Sequence, residues 1–344
     1  MPDLATFSSP VLLALFAVAA LVIAVLGSRM AGIADTLADR TGWGEALIGS
    51  ILLGAGTSIS GIVASISSAA DGAPELSVAN AYGGIAAQTM FLALADIAYR
   101  KVNLEHAAAS AVNLGQAITL IILTSLPILA VTVPPFAIMG VNPLSPVLVL
   151  VYLIGLHNAH SIKREPMWLP RQTDATRDEE DDEENDPHST RFLAFVFLAL
   201  VGVVGICGWA VGQAGIELSE RYDLSQGVVG ALLTAVITSL PELVTTVAAV
   251  RKGALQLAVG GIIGGNMFDA LFIAASDVAY RDGSIYHAIS ERSLFWIALV
   301  VLMMAILLMG LLKRERQGPG GIGWESLLVL ALWIAGAGLQ AWMG

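Results

Sequence analysis

Several apolar runs in this chain are too long and too free of charge for a water-soluble core. Leu12 to Leu26 contains no charged residue, and Phe192–Ile216 and Leu294–Leu312 repeat the pattern. A helix needs roughly 20 such residues to cross the hydrocarbon of a bilayer. Charged residues are 13% of the 344, against about 25% in a typical soluble domain. The runs predict an all-α membrane protein with ten transmembrane helices. They fall near Pro10–Ser28, Trp43–Ala69, Leu76–Tyr99, His106–Val131, Pro135–Leu156, Arg191–Gln213, Leu224–Val250, Leu255–Tyr280, Arg292–Leu312 and Gly323–Trp342. No clear cleavage site follows the first run, so it reads as a retained helix rather than a signal peptide. The single cysteine, Cys207, lies inside the sixth run, which rules out a disulfide within the chain.

Loop charges predict the orientation. Sorted by side, three of the 17 Lys and Arg (Arg221, Arg281, Arg292) fall with the N-terminus and fourteen fall opposite. Basic loops stay in the cytoplasm, so both termini are expected outside, in a prokaryotic plasma membrane. The net charge of −11 comes mostly from the run Asp178 to Asp186. That run is too polar to pack and reads as a disordered cytoplasmic linker. It separates 1–160 from 191–344, with 161–190 as the acidic loop and five runs on either side.

The two sides are related. Shifted by 181 positions, Thr57–Arg100 aligns with Thr238–Arg281 without a gap, and 15 of 44 residues are identical. Thr57-Ser58 matches Thr238-Ser239, Gly83-Gly84 matches Gly264-Gly265, and Asp96, Tyr99 and Arg100 match Asp277, Tyr280 and Arg281. Outside the block, Arg40 pairs with Arg221, Gly49 with Gly230 and His106 with His287. Five spans is an odd number, so the second copy enters the membrane upside down. Such inverted five-helix repeats are a recurrent plan of secondary transporters, whose substrate sites lie where the repeats meet.

The densest polar cluster lies in the middle of spans seven and eight: Thr238-Ser239-Leu240-Pro241-Glu242, then Gly264-Gly265-Asn266-Met267-Phe268-Asp269. Pro241 has no amide proton, so it interrupts the helix and frees carbonyls. Irregular backbone survives at that depth only inside protein or along a cavity. An ionised carboxylate at a span centre costs about 2.5–3.5 kcal/mol on insertion scales. Glu242 and Asp269 therefore point to function, whereas Thr238 and Ser239 taken alone read as helix–helix contacts. Together these oxygens suit a hard cation.

These two motifs resemble the second α-repeat of the cation/Ca²⁺ exchanger superfamily, the sodium/calcium exchangers and their relatives. The resemblance implies ten helices in inverted repeats over the whole chain except the acidic loop. It also implies antiport of Ca²⁺ or another cation against Na⁺ or H⁺, with no cofactor, no nucleic acid and no enzymatic step. In the family an acidic residue follows each Thr-Ser pair, and an Asn or Asp lies 27 positions further on. Carried over, the metal-ligating set is Thr238, Ser239, Glu242 and Asp269 with Thr57, Ser58 and Gln88. The first repeat departs from the pattern. Gly61 stands where the acid belongs, Ser60 replaces the proline, Ile85 replaces the asparagine, and Gln88 takes the later ligand position. Losing an anion lowers the expected affinity for a divalent ion. A second function class therefore stays open: a non-transporting, cation-sensing or partner-binding scaffold on an exchanger fold.

Other polar residues read as structural. Asp96 and Asp277 each precede an Arg by four residues, a spacing that predicts helix-face ion pairs. Asp71 and Glu75 read as a solvated turn, His106 and His287 as interfacial, and His157 with His160 as too few ligands for a metal. Gly56 to Gly61 lacks the serine-hydrolase pattern and any partnering base.

Overall fold

The computed structural model describes residues 4–41, 49–99, 101–108, 110–174, 176, 188–318 and 321–343. The acidic run Asp178 to Asp186 therefore lies outside the described residues. The chain is helical, and the one extended pairing among the described residues is an isolated bridge between Ile138 and Val141. The first half runs α1 (Ser9–Thr41), α2 (Gly49–Ala70), α3 (Pro74–Tyr99), the single turn α4 (Leu104–Ala107), α5 (Ala111–Thr132) and α6 (Leu144–Arg164). The second half begins with α7 (Thr190–Arg221), then α8 (Gln226–Thr238), whose residues Val229–Thr234 form a π-helical stretch. It continues with α9 (Leu240–Lys252), α10 (Leu255–Asp269), α11 (Phe272–Ala279), α12 (Glu291–Lys313) and α13 (Trp324–Trp342). Among the described residues eight helical segments are long and apolar enough to cross a membrane, and the bent pair α8–α9 makes nine.

The apolar pattern sorts these helices by depth. α3 is the central helix, buried almost continuously from Leu76 to Asp96. Its small residues allow this: a Cβ on Gly83 would lie 2.4 Å from the Ala231 Cα of α8. α1 and α7 pack together at the periphery and present Val18, Leu21, Phe195, Leu198 and Ile206 outward. In water such faces would be a liability, but in lipid they are the solvent-exposed surface. α1 and α7 have 33 and 32 residues, about 50 Å at 1.5 Å per residue, so they outreach a ~30 Å hydrocarbon core.

Boundaries differ from expectation where proline acts. The fifth span starts at Leu144, not Pro135, because Pro134 and Pro135 cannot donate to a helix and the preceding residue turns extended. Met139 and Gly140 then close a tight turn at φ 55° and 83°. α6 continues to Arg164, so His157 and His160 sit inside it rather than at its end.

Contacts recur at the 181-residue offset. Gly27 lets α1 meet Pro241, where a Cβ would lie 2.5 Å from Cγ. Its equivalent Gly208 lets α7 meet Ser60, the position equivalent to Pro241, where a Cβ would lie 2.3 Å from the carbonyl oxygen. His106 Nδ1 donates to the Arg314 carbonyl at 2.6 Å, and His287 Nε2 to the equivalent Val133 carbonyl at 2.8 Å. The Asp residues behave the same way, which for Asp277 corrects the expected ion pair with Arg281. Asp277 accepts from the amides of Ile285 (3.0 Å) and Asn142 (2.7 Å) and from Ser145 Oγ (2.7 Å). Asp96 accepts from the equivalent amides of Leu104 and Gly323, both at 2.7 Å. Both carboxylates staple a loop to their own helix end and to the opposite half. Arg281 forms no ion pair with Asp277 among the described residues, and Arg100 lies outside them.

Candidate ion-binding site

Local sequence explains why the second half is broken and the first is not. Pro241 cannot donate to the Ile237 carbonyl, so α8 ends at Thr238 and α9 leaves at 46°. Ser239 sits in the break at φ −94°, ψ 6°, and Glu242 occupies the first turn of α9, where the helix dipole favours an anion. α10 likewise ends at Asp269, and the chain restarts at Phe272. In the first half, Ser60 and Thr89 lie inside the continuous helices α2 and α3. Proline at position 241 is thus the residue that turns one of two related helices into an interrupted one.

The break faces α2 and α3. All seven carried-over residues are buried: Thr57, Ser58, Gln88, Thr238, Ser239, Glu242 and Asp269. Gln88 and Asp269 occupy equivalent positions and meet directly, Nε2 donating to Asp269 Oδ2 at 2.6 Å and to Ser239 Oγ at 3.2 Å. Gly84 and Gly265 flank this contact, where a Cβ would meet Ser239 Oγ at 3.4 Å and Gln88 Oε1 at 3.7 Å, ordinary van der Waals distances. Ser60 Oγ donates to the Thr238 carbonyl at 3.2 Å, which takes up one oxygen exposed by the break. Thr57 Oγ1 donates to the Gly54 carbonyl at 3.2 Å.

What remains is a set of oxygens with no hydrogen-bond partner: Ser58 Oγ, Gln88 Oε1, both carboxylate oxygens of Glu242, Asn266 Oδ1 and Asp269 Oδ1. Buried polar atoms are normally paired, and each orphan costs about 1–3 kcal/mol. Several in one place, with two carboxylates among them, match the oxygen donor set of a hard cation. Beside Gly61 the space is filled. A Cβ there would lie 2.7 Å from the Phe272 ring and 3.7 Å from Thr238 Oγ1.

Two residues of this cluster were absent from the sequence-derived set. Asn80 donates to the Gly61 carbonyl at 3.1 Å and to Ser65 Oγ at 2.9 Å, and accepts from Thr238 Oγ1 at 3.3 Å. Its equivalent is Gly261, so the repeat comparison could not reveal it. Asn266 is tethered by Nδ2 to Thr89 Oγ1 at 3.1 Å with its carbonyl oxygen free. Its place in the Gly-Gly-Asn-Met-Phe-Asp motif was the available signal.

The outlying candidates do not join the site. Glu75 accepts from the Ser290 amide at 2.7 Å and from its hydroxyl, tying α3 to α12. Asp71 pairs with Gln213. Among the described residues no three or more His, Cys, Asp or Glu gather in metal-holding geometry, His157 and His160 included.

Comparison with known proteins agrees with this architecture. The chain is 28% identical over 144 residues to the inner membrane protein YrbG of Escherichia coli, covering 42% of this chain and 43% of that one. It is 28% identical over 123 residues to the sodium/calcium exchanger MaX1 of Methanosarcina acetivorans, covering 36% and 33%. The matched segments thus span less than half of either relative. Experimental structures share the fold: YfkE with a TM-score of 0.64 at 16% identity, covering 94% of this chain and 91% of that one. The sodium-calcium exchanger NCX_Mj, soaked with Na⁺ and Sr²⁺, gives 0.59 at 20% identity, covering 94% and 97%. The profile of the family described as "Sodium/calcium exchanger protein" matches residues 11–156 and 191–342, nearly all of both halves. This chain is an integral membrane protein of the sodium/calcium exchanger family, a family of transporters and not of enzymes.

Proposed function

We propose that this protein is a secondary cation antiporter, exchanging Ca²⁺ or another cation for Na⁺ or H⁺. The observation that carries the reading is the cluster of unpartnered oxygens where Glu242 and Asp269 meet Ser58 and Gln88. Two carboxylates neutralise one divalent ion or two monovalent ions, so both kinds of cargo compete for the same anions. We read the chain as ten spans in two inverted five-helix repeats, 1–160 and 191–344, joined by the cytoplasmic loop 161–190. The contacts that recur at the 181-residue offset support that reading, as does the family match, which stops at residue 156 and resumes at 191. Both termini then lie outside a prokaryotic plasma membrane. A reporter fused within 172–190 is expected in the cytoplasm and one at the C-terminus outside; finding both on one side would break the repeat plan.

One observation favours a second reading. Gln88 already donates to an Asp269 oxygen at 2.6 Å, so part of the anionic capacity is met by protein, as in a non-transporting cation sensor. Ca²⁺ flux into proteoliposomes separates the two. An antiporter accumulates Ca²⁺ when an outward Na⁺ or H⁺ gradient is imposed and stops when the gradient is collapsed. Ca²⁺ binding without flux under either gradient would leave the scaffold.

A further inference from the structure

The two Asp-stapled junctions are built alike but filled differently. At the Asp277 junction, Ser145 Oγ lies 3.0 Å from the Tyr286 hydroxyl, and the neighbouring position is Leu144. Every polar side chain named there has a partner. At the Asp96 junction the equivalent of Ser145 is Ser326, that of Tyr286 is Glu105, and that of Leu144 is Glu325. Ser326 Oγ donates to Glu105 Oε1 at 2.9 Å, copying the Ser145–Tyr286 contact. The second oxygen of Glu105 and both oxygens of Glu325 have no partner. Glu105 is 1% exposed and Glu325 0%. They converge: a Cβ on Gly323 would lie 3.0 Å from Glu325 Oε1 and 3.1 Å from Glu105 Oε2. Gly310 also makes room, since a Cβ there would come 2.8 Å from Glu325 Oε1. The first junction therefore holds two acids more than its twin, and the staple itself needs neither.

Three buried carboxylates cannot all be charged without compensation. Asp96 accepts from two backbone amides, both at 2.7 Å, so its own donors are supplied by the staple. Among the described residues, the cations at this end of the bundle have other partners. Lys313 pairs with Glu315 at 3.1 Å and lies over the Trp324 ring, and Arg316 pairs with Asp174 at 2.7 Å. Arg314 donates to the carbonyls of Arg171 and His106, and His106 is held between Arg314 and Thr173. The three acids do not gather in metal-holding geometry.

We propose that Glu105 and Glu325 form a proton-binding site separate from the ion site, a buried carboxyl–carboxylate pair whose shared proton keeps this junction closed. The proton comes from water at the end of the bundle assigned to the cytoplasm. It sits on one carboxyl, which donates to an orphan oxygen of the other. Burial, with the charges of Asp96 and Glu325 beside it, pushes Glu105 up to about 8. A folded-state value above the unfolded one means that protonation stabilises the junction at low pH. That contribution is lost as pH rises from about 4.5 through about 8. Arg171, Thr173 and Asp174 rest on this junction through Arg314, His106 and Arg316. Opening it at high pH therefore also loosens the start of the acidic loop.

The test uses the full chain carrying Glu242→Gln and Asp269→Asn, so that the ion-site carboxyls do not titrate. Infrared spectroscopy is expected to show a protonated carboxyl C=O band that disappears through about pH 8 and is absent after Glu105→Gln. In parallel, the drop in melting temperature between about pH 5 and 9 disappears in Glu105→Tyr/Glu325→Leu, which copies the other junction. If either variant fails to fold, the infrared titration of the parent decides alone. A parent with no carboxyl band titrating in that range overturns the proposal, as does a band and melting profile unchanged in both variants. Loss of the band on adding Mg²⁺ or Ca²⁺ at fixed low pH would assign the pair to a metal ion and overturn it equally.

Discussion

Glu242→Gln and Asp269→Asn are each expected to lower Ca²⁺ affinity by about a thousandfold and to abolish flux. Each substitution keeps shape and removes one charge. At an effective dielectric of 20, two unit charges 4 Å apart attract by about 4 kcal/mol, and 1.4 kcal/mol is tenfold in affinity. Both carboxylates are buried, so solvent screens them little. Asp269→Asn also disturbs the contact from Gln88, whose amide donates to an Asp269 oxygen. Thr238→Val and Ser239→Ala remove neutral oxygens and are expected to cost about tenfold at most. Equilibrium binding in detergent and flux in proteoliposomes check this series. Undiminished binding in the Glu242→Gln/Asp269→Asn double variant would move the ion site elsewhere in the molecule.

Restoring the first-repeat acid takes two substitutions rather than one. A Cβ on Gly61 would lie 2.7 Å from the ring of Phe272, which is 2% exposed and stacked edge-on with Phe268 at 6.3 Å. Gly61→Glu alone must displace that ring, so the variant is expected to lose stability and bind Ca²⁺ no better. Gly61→Glu/Phe272→Ala gives the carboxylate the space the ring leaves. The added charge is expected to tighten Ca²⁺ binding by about tenfold to a hundredfold, the attraction being partly offset by crowding a third buried carboxylate. Binding titrations on both variants check the pair. A folded Gly61→Glu single variant with tighter binding would show that Phe272 is no obstacle. A double variant that folds and binds no tighter would show that position 61 does not face the ion.

Much of this was legible in the chain. Apolar run length gives membrane helices because the bilayer sets one thickness for all of them. Pro241 marked the break because a missing amide proton acts whatever surrounds it. The offset of 181 named Glu242, Asp269 and their partners as related positions, and the Thr-Ser-Leu-Pro-Glu motif carried the family.

Contacts between residues far apart in the chain were not legible. Nothing in the order of residues says that Phe272 occupies the space beside Gly61, or that Asn80 reaches Thr238. The i,i+4 spacing of Asp277 and Arg281 suggested an ion pair, yet three donors from elsewhere satisfy the aspartate. A buried carboxylate takes the donors that surround it in space, and two of these three, from Asn142 and Ser145, arrive only when the two halves close on each other. Local chemistry, readable in one dimension, determined where helices form, where one breaks and which residues are paired by duplication. Only the packed structure decided which oxygens are left without partners. That depends on every neighbour at once, which is why the oxygen cluster proposed to hold the ion could be seen only in the packed molecule.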